Sequence, residues 1–242
     1  MKKIINHLRI NRVRYILALI FFLFIGGVSF RQIWDKHTRK RKDKIEYIVI
    51  HYTANPHAGA DAEMNARYLQ KKRNAGAHYV IDDQEIIQTV PENEVAYSVG
   101  DKKWLGFIPK PWLKGKVFNE NSISYEMCLG GGRNDSLIIE RTAQCVAWQI
   151  LNKGFFRLDS VRVWSQSQNR TITLYKKVPD LGRVIRHHDV SGKQCPRFYY
   201  MDPSWDQKKE DRAFYIFKLK VDTYVRKKLE VDGISAPKTR TQ

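Results

Sequence analysis

The stretch Ile45-Glu46-Tyr47-Ile48-Val49-Ile50-His51-Tyr52 decides the fold class. It is β-branched and nearly continuous in apolar character, so it reads as a strand buried on both faces. Such a strand belongs at the centre of a sheet covered by helices. Outward from it, elements alternate. Asn55 to Asp61 holds Pro56 and Gly59 and reads as a loop. Ala62 to Asn74 has helical spacing, with Gly76 as its stop. His78–Ile81 and Glu85–Val90 read as a hairpin around Asp82–Gln84, ended by Pro91. Gly100 to Asn121 is irregular. Ser122–Leu129 is a further strand, ended by Gly130-Gly131-Gly132, and Thr142–Lys153 is a helix. Val161–Asp180 is polar, with a hairpin insertion as one option. Val184–His187 is a short strand, followed by a loop over His188–Arg197. Lys208–Leu229 is a basic amphipathic helix that turns Phe214, Phe217 and Val221 inward. The alternation predicts a mixed α/β domain over residues 45–230, with 231–242 as a tail.

The chain has 242 residues, enough for one well-buried core and an appendage. Its net charge is +18, unevenly spread. Residues 1–44 hold twelve Lys and Arg against Asp35 and Asp43. Between two basic flanks runs the uncharged segment Ile16–Phe30, which Ile33 and Trp34 extend if Arg31 snorkels. This reads as an N-terminal hydrophobic anchor helix, with a cleaved signal as the other option. Arg39–Lys42 then reads as a solvated stretch beside the membrane. Charge on both flanks leaves orientation open. A basic balance suits nucleic acid, anionic lipid or an anionic polymer. No zinc-finger, RRM or helix-turn-helix signature is present, so no nucleic acid is expected.

Three residues stand out as metal ligands. His51 ends the first strand, His187 ends a later one, and Cys195 follows His187 by eight positions across a loop. A catalytic zinc wants three protein ligands and an open position. Taken alone, a strand-end His is more often a structural residue than a metal ligand. Cys128 and Cys145 read as small buried hydrophobes, and His78 as a structural histidine on a strand.

Four motifs occur in order: Tyr47-Ile-Val-Ile-His-Tyr-Thr53, Ala77-His-Tyr-Val-Ile81, Asn121-Ser-Ile-Ser-Tyr-Glu126 and Arg186-His-His-Asp-Val-Ser-Gly-Lys-Gln-Cys-Pro196. Together, over residues 45–225, they make the chain resemble the N-acetylmuramoyl-L-alanine amidases, a family that includes phage lysozyme-type amidases and peptidoglycan recognition proteins. The resemblance implies a central mixed β-sheet flanked by helices, and a zinc cleft with His51, His187 and Cys195 as ligands to Zn2+. It implies Glu126 as the general base and Lys193 as an oxyanion-stabilising cation. Outside the resemblance, Glu126 could be a sheet-edge ion-pair partner and Lys193 a surface lysine. The implied reaction cleaves the amide between muramic acid and L-alanine in peptidoglycan or a muropeptide. The implied location is the cell envelope, anchored in the inner membrane with the domain on the periplasmic, extracytoplasmic side.

The motifs also depart from the family. Ala77 replaces a catalytic Tyr of the phage branch, Ser98 replaces a His that follows the hairpin, and Arg186 replaces a common Gly. Trp104, Trp112 and Tyr97 could line a groove or fill the core. The alternatives are a non-catalytic peptidoglycan-binding module of the same fold and a membrane-anchored polyanion binder.

Overall fold

The computed structural model describes residues 28–99, 109–202, 204–231 and 238–239. At its centre lies the expected strand, β3 (Tyr47–Tyr52), whose Ile48, Val49 and Ile50 are wholly buried. Its neighbours, β7 (Ser122–Met127) and β10 (Val184–Arg186), both run parallel to it. Beyond β7 lie β4 (Tyr79–Ile81), β5 (Glu85–Gln88) and, at the edge, β1 (Ser29–Gln32). Only the β4–β5 hairpin pairs antiparallel within this six-stranded sheet, so the sheet is mixed, as expected.

Helices cover both faces. Helix α1 (Ala62–Gln70) starts where the Asp61 carboxylate accepts from the Met64 N–H. It stops at Gln70, short of the expected Asn74, because Lys71-Lys72-Arg73-Asn74 offers no apolar side chain for another turn. Helix α2 (Asp135–Lys153) starts seven residues before the expected Thr142. The Asn134 side chain caps it, and Ile138 buries its first turns beneath a polar-looking sequence. Residues 156–179 form the hairpin insertion, β8 (Phe156–Ser165) against β9 (Arg170–Pro179). After β10 comes the short helix α3 (His187–Ser191), where a loop was expected, and then α4 (Gln207–Val231).

Side chains alternate across a strand, so β3 serves two cores. Ile48 and Ile50 pack with Tyr125, Met127, Val146 and Ile150 beneath α2 and α4. On α4, Phe214, Phe217, Val221 and Val225 recur at helical spacing and face that core. Val49 faces the other side, with Val99, Leu113, Ile185 and Val190. His51 follows Val49 by two residues and therefore opens on that second face.

The N-terminal reading needs correction. Val28 is buried in the core and Ser29–Gln32 is the edge strand paired with β5. Arg31 does not snorkel; it pairs with Glu85 at 2.5 Å and Glu63 at 2.7 Å. An anchor helix therefore cannot include residues 28–34, and the rest of that segment lies outside the described residues. Among the described residues, no helix is long and apolar enough to cross a membrane. Arg39, Lys40 and Lys42 are exposed, as expected of a solvated stretch, but the stretch is part of the domain. Arg39–Lys40 is β2, paired with β6 (Glu94–Val95). Arg41 donates to the backbone carbonyls of Glu92, Glu94, Asn119, Glu120 and Ser122. The domain thus begins upstream of residue 45. In the expected tail, β11 (Lys238–Thr239) adds a strand to β9.

Candidate active site

Register assembles the site. In the parallel β3–β7 pair, His51 stands directly opposite Glu126. On the other flank Arg186 of β10 stands opposite Ile50, so His187, the next residue, comes level with His51. Three parallel strands thus deliver three side chains to their carboxyl ends, where open α/β sheets hold ligands.

The fourth side chain arrives by a return loop. Helix α3 ends at Gly192, whose φ of +75° lets the chain reverse. Cys195 then lies back over the helix, its carbonyl accepting from the His188 N–H at 2.7 Å. One ligand atom each of His51, His187 and Cys195 falls within 4.8 Å of the others. His51 Nδ1 is 3.8 Å from Cys195 Sγ and 3.9 Å from Glu126 Oε1. The two imidazoles lie 4.7 Å apart, tilted by 58°. His188 points elsewhere, its Nδ1 2.9 Å from the Lys193 carbonyl and its ring against Trp205. Lys193 itself is exposed.

Burial sets the electrostatics. It holds His51 well below the usual histidine range, and the neighbouring His187 and Lys193 further disfavour a second positive charge there. It holds His187 at about 4, against a backbone hydrogen bond at Val99 that favours the charged ring. Both imidazoles are neutral at pH 7 and offer lone pairs. Burial, then the Glu126 charge, pushes the Cys195 thiol up. Glu126 is raised by burial to about 7, with Lys193 pulling the other way. The buried His51 Nε2, His187 Nδ1 and Glu126 Oε2 have no hydrogen-bond partner among the described residues. Leaving such atoms unpaired is costly. Two imidazoles and a thiol form a donor set of the kind zinc takes, and a cation there would satisfy them.

The expected site residues therefore meet, with Lys193 near enough for its charge to act on the other four. The departures sit around them. Ala77 is wholly buried, and the Ser98 hydroxyl is buried with no hydrogen-bond partner among the described residues. Arg186 ties down α3: its Nη2 donates to Asp189 at 2.8 Å and to Asp211 at 2.6 Å, and its N–H donates to Asp189 at 3.0 Å. Sequence reasoning missed Val99, whose backbone orients His187. No side-chain motif marks a residue that acts through its backbone.

Fold and site together define a mixed α/β domain with a buried His–His–Cys donor set and a carboxyl at the carboxyl ends of its parallel strands. Residues 41–198 match the family described as N-acetylmuramoyl-L-alanine amidase, and the chain belongs to that family. It is 33% identical over 166 residues to the N-acetylmuramoyl-L-alanine amidase CwlL of Bacillus licheniformis, covering 66% of this chain and 38% of that protein. It is 32% identical over 170 residues to the amidase BlyA of Bacillus subtilis, covering 67% and 40%. The chain thus spans well under half the length of these relatives. Among solved structures, the catalytic domain of XlyA shares the fold with a TM-score of 0.54 at 22% identity, covering 80% of this chain and 99% of that one. The Staphylococcus aureus hydrolase AmiA, solved with its ligand, superposes with a TM-score of 0.51 at 18% identity, over 87% and 88%.

Proposed function

We propose that this chain is a zinc-dependent amidase that hydrolyses the bond between N-acetylmuramic acid and L-alanine in peptidoglycan. The observation that carries the reading is the register pair His51–Glu126, which sets a buried carboxyl beside the His51–His187–Cys195 donor set. Zinc held by His51, His187 and Cys195 would supply Lewis acidity toward the scissile carbonyl and toward the attacking water. Glu126 takes the proton of that water, a task suited to a carboxyl whose pKa lies near 7. The same Glu126 returns the proton to the leaving L-alanine nitrogen. Lys193 supplies positive charge where the oxyanion develops. The domain acts on the extracytoplasmic side of the envelope, and the apolar run upstream of residue 28 directs it there.

The test uses the full chain, or one trimmed no further than residue 27, because β1 belongs to the sheet. It is incubated with purified peptidoglycan, with and without a chelator, and released peptides are read by mass spectrometry. The expected product is a stem peptide with a free N-terminal L-alanine, lost on chelation and restored by zinc. Binding of muropeptide without release would support the non-catalytic binding module instead.

A further inference from the structure

Arg186 stands where the family resemblance leads one to expect glycine, and it brings a large buried cation. The residue is 3% exposed. Two of its nitrogens are engaged by Asp189 and Asp211, but Nη1 is buried with no hydrogen-bond partner among the described residues. Arg186 also lines a cavity of about 320 Å³ between α3, α4 and the segment around Trp112. None of His51, Glu126, His187, Lys193 or Cys195 lines it.

Two more cations share that cavity, and all three gather on one ring. The Arg186 Cζ lies 5.0 Å, Lys218 Nζ 4.9 Å and Lys110 Nζ 5.9 Å from the centre of Phe214. Lys110 pairs with Asp189 at 2.9 Å, while Lys218 donates to the Leu181 carbonyl and, among the described residues, to no carboxylate. Among the described residues that line the cavity, three cations stand against two carboxylates, Asp189 and Asp211, an excess of one positive charge. Lys218 is lowered to about 8, first by burial and then by Lys110. Crowded, desolvated cations of this kind are stabilised by a bound anion. At the mouth, Trp112 and Tyr215 are both 62% exposed, offering apolar faces to whatever carries that anion.

We propose that this cavity is a second ligand site, distinct from the metal cleft, that takes a singly charged oxyanion on Arg186, Lys110 and Lys218. A carboxylate and a phosphodiester both have that chemistry. Either group would give the enzyme a second hold on an acidic wall polymer, away from the bond being cut.

The test titrates the full chain with dimethyl phosphate and, separately, with acetate, at fixed ionic strength, with binding read by calorimetry. At least one probe is expected to bind saturably, and about tenfold more weakly in Lys218→Met and in Lys110→Met, the loss typical of one charge-assisted hydrogen bond. Dimethyl phosphate binding alone identifies a phosphodiester ligand, and acetate binding alone a carboxylate. Binding should survive chelation and His51→Ala. The proposal is overturned if neither probe binds, if both lysine variants bind as the parent does, or if chelation abolishes binding. Thermal melts of the two variants separate loss of the site from loss of the fold. The readout needs neither turnover nor peptidoglycan, so it stands or falls apart from the amidase reading.

Discussion

Glu126 and His51 have separable tasks, and single substitutions should separate them. Glu126→Ala is expected to keep zinc, measured by mass spectrometry of the bound metal, and to lose about 10²–10⁴-fold in peptide release. His51→Ala should lose both together. Retention of full turnover by either variant would remove that residue from the mechanism. His78 makes a different prediction. Burial, then the Arg41 charge, holds it at about 3 against an ordinary 6.5, so it is neutral in the folded chain. The unfolded chain then binds more protons between those two values. Stability is therefore complete above pH 6.5 and falls as pH drops toward 3, by up to about 1.4 kcal/mol per pH unit. Urea melts at several pH values should show a shallower acid slope for His78→Gln than for the parent. At this scale the sequence was informative for a physical reason. A strand-end histidine and a His…Cys loop are fixed by residue type, so His51, His187 and Cys195 could be named from spacing and motif. The Arg186–Asp211 contact spans 25 positions that no local pattern links.

Strands were more legible than boundaries. β3 and the β4–β5 hairpin carry short runs of Ile and Val, β7 alternates around Ile123 and Tyr125, and each lies within the stretch where the sequence predicts a strand. The start of α2 was hidden because Asn134 and Ile138 hold it through a cap and one buried side chain, amid polar neighbours. The place of residues 28–44 was hidden more deeply, since apolar and basic character looks the same beside a membrane and inside a domain. Arg41 shows the difference: five carbonyls depend on its guanidinium. Arg41→Ala would strand several of them without donors and should destabilise by about 1–3 kcal/mol or more in denaturant melts. Equal stability would make Arg41 a bystander. The turn after β7 is equally constrained. Gly130 has φ +90°, and an added Cβ would stand 2.7 Å from the Tyr200 ring. Gly130→Ala should cost about 1–3 kcal/mol, read as a lower melting temperature.

For the whole molecule, a metal held by the buried donor set would be coupled to folding. A ligand that binds only the folded state stabilises it by mass action, about 2.7 kcal/mol at a hundredfold excess over Kd. Chelation should therefore lower the melting temperature of the parent by several degrees and leave His51→Ala unmoved. An identical melt with and without chelator would count against a resident metal. The long hairpin of β8 and β9 bears on a different use of the molecule. Its strands pair with each other from Phe156↔Pro179 out to Ser165↔Arg170, and its exposed tip at Gln166–Asn169 supplies none of the site residues His51, Glu126, His187, Lys193 and Cys195. A slip in β3 or β7 would rotate the whole cleft out of register, but extra sequence at this tip displaces nothing. The tip is thus a natural splice point, where a fluorescent reporter or a targeting module could be inserted without changing the register that sets His51 beside Glu126.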